Sequence, residues 1–239
     1  MAQLLKLSVQ KYKLKIMKTR FLLALPALFL MASCGGSGSD NAKTTAEQTA
    51  AEQKGDQLNI DTTATLVSWK ATHKGGFAPR WGKIKITSGT VSVQSDSLTG
   101  GEFIVDMNSL LTDPASVTEK DKKSTDLDGH LKSADFFDTA KAPTAKFVIN
   151  KVEAFHGDAK TSLVADPNYL ISGNLTLKDS TLNVTFPAKV SVSTGNVSAD
   201  AKFIIDRTAW GINYKAEGSP ENWMISKDVE IGLTLVAKK

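Results

Sequence analysis

The sequence predicts an all-β protein: a single antiparallel domain of about eight or nine strands over residues 57–239. Three observations carry this. From Leu58 onward apolar and polar residues alternate with period two, the mark of a strand with one buried face. The links between alternating segments are short and polar or glycine-containing: Lys74-Gly-Gly76, Ser88-Gly89, Lys178-Asp-Ser180 and Thr194-Gly-Asn196. Links this short join antiparallel neighbours. No repeating helical block separates the segments, which excludes a βαβ architecture.

The N-terminus reads as an export signal. Lys18 and Arg20 precede the apolar run Phe21-Leu-Leu-Ala-Leu-Pro-Ala-Leu-Phe-Leu-Met-Ala32, and Ser33-Cys34-Gly35-Gly36 follows it. A basic start, a short apolar middle and small residues at the cut site define a secretory signal. The run is too short for a membrane span, which needs about 20 residues. Met31-Ala32-Ser33-Cys34 resembles a bacterial lipobox. That resemblance implies cleavage before Cys34 and acylation of its thiol. Residues 1–33 are then the signal peptide, and Cys34 is a lipidation site anchoring the chain to a membrane of the cell envelope, periplasm-facing or outer. Met17-Lys18-Thr19-Arg20 is itself a complete signal start, so translation from Met17 yields the same mature chain.

Removing the signal also corrects the charge. The formal +4 includes six basic residues within 1–33 and no acidic ones; without them 23 basic residues face 25 acidic, or −2. A nucleic-acid partner loses its electrostatic basis. No second cysteine exists to form a disulfide with Cys34, so the domain rests on its own core. Residues 34–56 hold the lipidated Cys and then a stretch rich in Gly, Ser, Ala, Thr and Gln, without aromatics. Such a composition buries too little surface to offset its ordering entropy. It is expected to be a flexible linker, which a protease trims to about Asp56.

The predicted strands are 63–73, 81–87, 90–94, 102–108, 146–155, 169–178, 181–193, 197–206 and 229–236. The highly charged stretch 118–133 breaks the alternation and reads as a helical excursion or loop. Leu127, Leu131, Phe136 and Phe137 would cap one end of the sheet there. Strands in this number must protect their edges, and closing into a barrel does so. Periodicity alone leaves a sandwich open.

His130-Leu-Lys-Ser-Ala-Asp-Phe-Phe-Asp138, followed by Ala142-Pro-Thr-Ala-Lys-Phe147, resembles the signature of the YceI-like family. Leu58-Asn-Ile-Asp61 with Val67-Ser-Trp-Lys-Ala-Thr-His73, Gly173-Asn-Leu-Thr-Leu177 and Ile205-Asp-Arg-Thr-Ala-Trp-Gly-Ile212 agree in order and spacing. Leu127 stands where that family usually has Arg. The resemblance implies an elongated, lipocalin-like β-barrel with an apolar pore. It also implies a long-chain ligand: a polyisoprenoid, an isoprenoid quinone precursor, or a fatty amide or other fatty-acid-derived chain.

The residues suit that chemistry in their own right. A hydrocarbon chain asks only for a dry apolar tube with a polar mouth. Trp69 lies on one alternating face, Phe103, Val105 and Met107 on a second, and Phe147 on a third. Small Ala201 beside bulky Phe203 would leave room. Arg207, at the end of its strand, would point inward near the rim, where it could meet a ligand oxygen; Trp210 follows in the same turn. Phe136 and Phe137 complete the expected ligand-binding set. The same side chains could instead be a filled core, which would make the chain a non-enzymatic stress or interaction protein of the envelope.

No Gly-x-Ser-x-Gly elbow and no phosphate-binding glycine loop is present, so no enzymatic activity and no cofactor is expected. His73, His130 and His156 lack metal-ligand spacing, and no metal is expected. His130 is expected to hold the loop before Phe136 through backbone hydrogen bonds. The sequence leaves a homodimer open. If Cys34 is acylated, Cys34→Ala will leave a heavier, uncleaved precursor that no longer fractionates with membranes, as cell fractionation and immunoblotting would show. Wild-type migration and fractionation of the variant would refute the lipobox reading.

Overall fold

The computed structural model describes residues 41–217 and 224–239; the expected signal peptide and Cys34 lie outside them. Among the described residues, ten strands and one helix follow in chain order: β1 Lys43–Ala46, β2 Asp56–Ile60, β3 Leu66–His73, β4 Arg80–Gln94, β5 Ser97–Thr112, α1 Ser124–Lys132, β6 Thr144–Ala154, β7 Tyr169–Leu177, β8 Ser180–Ser193, β9 Asn196–Asp206 and β10 Ile225–Lys238. β3 through β10 form a closed ring in which each strand is antiparallel to both neighbours. The result is an eight-stranded barrel. A barrel of that size has room inside for a packed core or one small ligand.

β2 shares a place in the ring with β3. At one end of the barrel it pairs with β4 and β10, and β3 takes over at the other. The turn between them is built on Asp61, whose carboxylate accepts from Thr63 N and Oγ and from Ala64 N and pairs with Lys238 at 2.9 Å. The Thr63 hydroxyl, with Lys238 and the backbone amides, holds that carboxyl well below the usual carboxylate range.

The sequence divides residues 80–94 into two strands at Ser88-Gly89, but the structure has one continuous β4 with irregular register there. Gly89 serves close packing and not a turn: a Cβ on it would sit 2.6 Å from the Phe103 Cβ. The sharp turn comes later, at Ser95 and Asp96, both at positive φ, as a two-residue hairpin requires. The charged excursion becomes α1. It is pinned to β5 by Asp128, whose buried carboxylate accepts from Thr112 N at 2.6 Å.

The linker reading fails for residues 41–56, which lie against the barrel. β8 pairs with β9 only from Ala188 onward, while its residues 182–185 pair with β1, so β1 fills the seam that opens between β8 and β9. Pro187, which has no N–H to give a ladder, stands where one pairing ends and the other begins. Ala42 N bonds to Ile204 O of β9 at 2.8 Å. The chain then crosses the outer wall. Gln48 N donates to Asn174 Oδ1, Asn174 Nδ2 donates to Gln48 O at 2.7 Å, and Asn150 Nδ2 reaches Gln48 O and Thr49 O. Asn183 supports Asn150 at 2.6 Å, and Ala51 N bonds to Ile149 O. Farther on, Gln53 accepts from Ser92, and Thr99 donates to Lys54 O. A segment without large apolar side chains is held by main-chain and amide hydrogen bonds, which composition does not reveal.

In the folded chain, trypsin should therefore spare Lys43 and Lys54. Asn174→Ala strands the Gln48 amide and leaves the Gln48 carbonyl only its Asn150 donor, and should lower stability by about 1–2 kcal/mol. It should also open 41–55 to cleavage, as mass mapping of the digest would show. Rapid cutting of wild type after Lys54 would contradict the belt.

Candidate ligand cavity

One half of the barrel is filled and the other is hollow. The hollow half is a cavity of about 460 Å³, within the range of small-molecule sites. Its walls come from alternate, inward-facing residues of β3 to β10. They include Val67 and Trp69 of β3, Val105 and Met107 of β5, Ala145 and Phe147 of β6, Leu175 and Leu177 of β7, and Ile231 and Leu233 of β10. The open end is roofed by α1 and the loop after it, through Leu127, Leu131, Phe136 and Phe137. Most polar members of the lining gather there, among them His73, Arg80, Glu119, Lys122, Lys123, Asp126 and His130.

Nine of the residues expected from sequence line this cavity: Trp69, Phe103, Val105, Met107, Phe136, Phe137, Phe147, Phe203 and Arg207. Two do not. Ala201 is buried beyond Phe203, on the side away from the mouth, because Phe203 stacks on Phe186 with centroids 3.9 Å apart and closes the lumen above it. Trp210 is turned away by the tight turn that follows β9 and donates its indole N–H to Leu175 O at 3.0 Å. Sequence reasoning left out Phe186, Leu175 and Val184. The alternation of Val184, Phe186, Ala188 and Val190 carried the signal for two of them.

Arg207 lines the wall, but its donors are spent on the protein. Nε bonds to Ser226 O at 3.0 Å, Nη1 to Ile212 O, and Nη2 to Tyr214 O and Ile225 O at 3.0 and 3.1 Å. Four of the five N–H groups of a guanidinium are thus committed to carbonyls. The guanidinium carbon lies 6.0 Å from the Phe136 ring centroid. Burial pulls the Arg207 pKa down from the ordinary value. The arginine ties the turn after β9 to the start of β10 and so shapes the mouth. The carboxylates nearest in sequence and in the mouth have other partners: Asp206 pairs with Lys227 and Asp135 with His130.

His130 fixes its loop by a different bond from the one expected. Its Nε2 meets Asp135 Oδ2 at 2.9 Å, and its ring packs edge-on against Phe136 and Tyr214. Across the mouth, Arg80 pairs with Glu119. Burial, reinforced by Arg80, lowers the His73 pKa, which keeps that ring neutral near pH 7. One polar atom stands out deeper in the wall: the Trp69 indole N–H is buried without a hydrogen-bond partner among the described residues. Gly82 lies directly across from it, and a Cβ there would come within 2.8 Å of the indole nitrogen. Among the described residues no group of three or more His, Cys, Asp and Glu is placed to hold a metal ion, and no helix is long and apolar enough to cross a membrane.

A barrel closed around an apolar, one-ended cavity defines a lipocalin-like fold, and comparison gives the family. The YceI-like domain model matches residues 58–237, so the chain belongs to the YceI-like family. Among solved structures it is similar to BcnA of Burkholderia cenocepacia, with a TM-score of 0.55, 19% identity and coverage of 75% of this chain and 99% of that one. It is also similar to a polyisoprenoid binding domain from Saccharophagus degradans implicated in plant cell wall breakdown. There the TM-score is 0.50, with 14% identity over 76% of this chain and 97% of that one. No curated protein matches it by sequence.

Arg207→Lys keeps the charge but offers three donors to four carbonyls. With each stranded buried carbonyl costing about 1–3 kcal/mol, the variant should melt at clearly lower temperature. A melting curve like that of wild type would show that the network carries little weight.

Proposed function

We propose that this protein is an envelope lipoprotein that holds a long-chain amphiphile in the barrel cavity, for carriage or storage. The chain would be a polyisoprenoid, an isoprenoid quinone precursor or a fatty-acid-derived amide. The observation that carries the reading is the cavity itself: an apolar cup whose polar groups sit at its one open end. That layout suits a molecule with a hydrocarbon tail and a single polar head. The Saccharophagus degradans relative, described as polyisoprenoid-binding, supports the ligand class. The lipobox at Cys34 supports attachment to a membrane.

Magnitude argues in the same direction. At about 24 cal/mol per Å³ of unfilled apolar volume, a closed void of this size would forgo on the order of 11 kcal/mol. That is an upper figure for a cup open at one end, yet it equals the whole stability of a typical domain, about 5–15 kcal/mol. A hollow of this size is explained by an occupant. A filled-core interaction protein has no use for it.

Ala145 lines the cavity opposite Val105, and Ala145→Phe puts a ring into the tube. Overpacking a full core costs about 1–3 kcal/mol, whereas a ring that enters empty space need not destabilise the fold. The variant should melt within a few degrees of wild type and lose at least tenfold in affinity for a fluorescent long-chain fatty acid, read by titration. A large drop in melting temperature with unchanged uptake would overturn the carrier reading.

A further inference from the structure

Four phenylalanines from four strands meet across the lumen at mid-height. Ring centroids of Phe103 on β5 and Phe147 on β6 are 5.3 Å apart, and those of Phe147 and Phe186 on β8 are 5.8 Å apart. Phe186 and Phe203 on β9 are stacked at 3.9 Å with an interplanar angle of 8°. Register holds them level. Phe103 faces Phe147 directly across the β5–β6 pair. Gly173 of β7, between β6 and β8, leaves the space into which the Phe147 ring swings, since a Cβ there would overlap that ring. All four rings border the cavity. Beyond them, away from the mouth, Ile149, Ile171, Ala188, Ala201 and Leu235 are buried, and none of them lines it. The barrel is a cup with an aromatic floor and a solid base.

We infer that this phenylalanine row sets the length of chain the protein takes: about fifteen carbons, equal to three isoprene units or a fatty chain of similar length, with longer polyprenyl chains unable to enter in full. The inference rests on the amphiphile-binding reading and narrows it. The length follows from the volume. A methylene group fills about the 30 Å³ that a water molecule occupies in the liquid, so 460 Å³ accommodates about fifteen of them. A longer chain would have to part the Phe186–Phe203 stack and then displace close-packed side chains beneath it.

The test is a homologous series of saturated fatty acids, from decanoate to docosanoate, bound to the purified full chain and to Phe186→Ala. Wild-type Kd should fall about fourfold per added methylene, the factor that about 0.8 kcal/mol of transfer free energy gives, and should level off near fifteen carbons. In Phe186→Ala the plateau should move to a chain several carbons longer. Ala201→Val, below the floor, should leave the plateau where it is. If Phe186→Ala does not fold by thermal melt, Phe186→Leu reads the same shift at smaller size. An identical plateau in wild type and the Phe186 variant, or a wild-type affinity that keeps rising to docosanoate, would overturn the floor while leaving amphiphile binding standing. Binding of no chain by either protein would overturn the amphiphile reading and the floor with it.

Discussion

Closure of the hydrogen-bonded ladder is the constraint on which the rest of this structure depends. A strand edge left open seeks another chain, and a barrel removes the edge altogether. Once the wall satisfies its own backbone groups, the lumen no longer has to be filled for the strands to hold together. The ring here is not uniform, however. β8 and β9 part beyond Ala188, and β3 stops short at Asp61–Thr65. Both gaps are closed by short strands from the N-terminal side, β1 in the first and β2 in the second. Residues 41–56, the described part of the segment that composition marks as a tether, are therefore part of the wall.

The division of the lumen follows from which inward positions are large. The aromatic row takes the full width of the barrel, and below it aliphatic side chains of β2 to β10 pack into a continuous core. That base supplies the burial on which a domain's marginal stability rests. The half above the row can then stay hollow without unfolding the chain. Rigidity at the mouth comes from polar bonds: Asp128 to the backbone of β5, Arg207 to four carbonyls, His130 to Asp135.

Much of this is visible in the residue order, and the reasons for the remainder are physical. Alternation exposes strands such as β9 because one face is buried and the other wet, and Phe103, Val105 and Met107 fall on the cavity side as that rule requires. Alternation says nothing about depth along the barrel, which is why, of two residues two apart on one face, Phe203 forms part of the floor and Ala201 lies beneath it. Trp210 leaves the face because a left-handed Gly211 closes a tight turn around it. The belt is hidden for a different reason. Its partners Asn150, Asn174 and Asn183 occupy outward positions where an asparagine is ordinarily solvated, and only the fold shows that a strand of the same chain covers them.

The asymmetry of the cup decides how a ligand must lie. Its floor is four hydrocarbon rings without a hydrogen-bonding group, so a polar head placed there would lose its hydration with nothing in return, a cost of roughly 2–7 kcal/mol per unpaired group. The mouth carries Arg80, Glu119, Lys122, Lys123 and Asp126 within reach of water, where a head of either charge meets a counterpart. Tail down and head out is thus the one orientation the cavity permits. The indole N–H of Trp69 does not alter this, because it is covered by the wall itself, packed against Gly82, and presents no donor to the lumen.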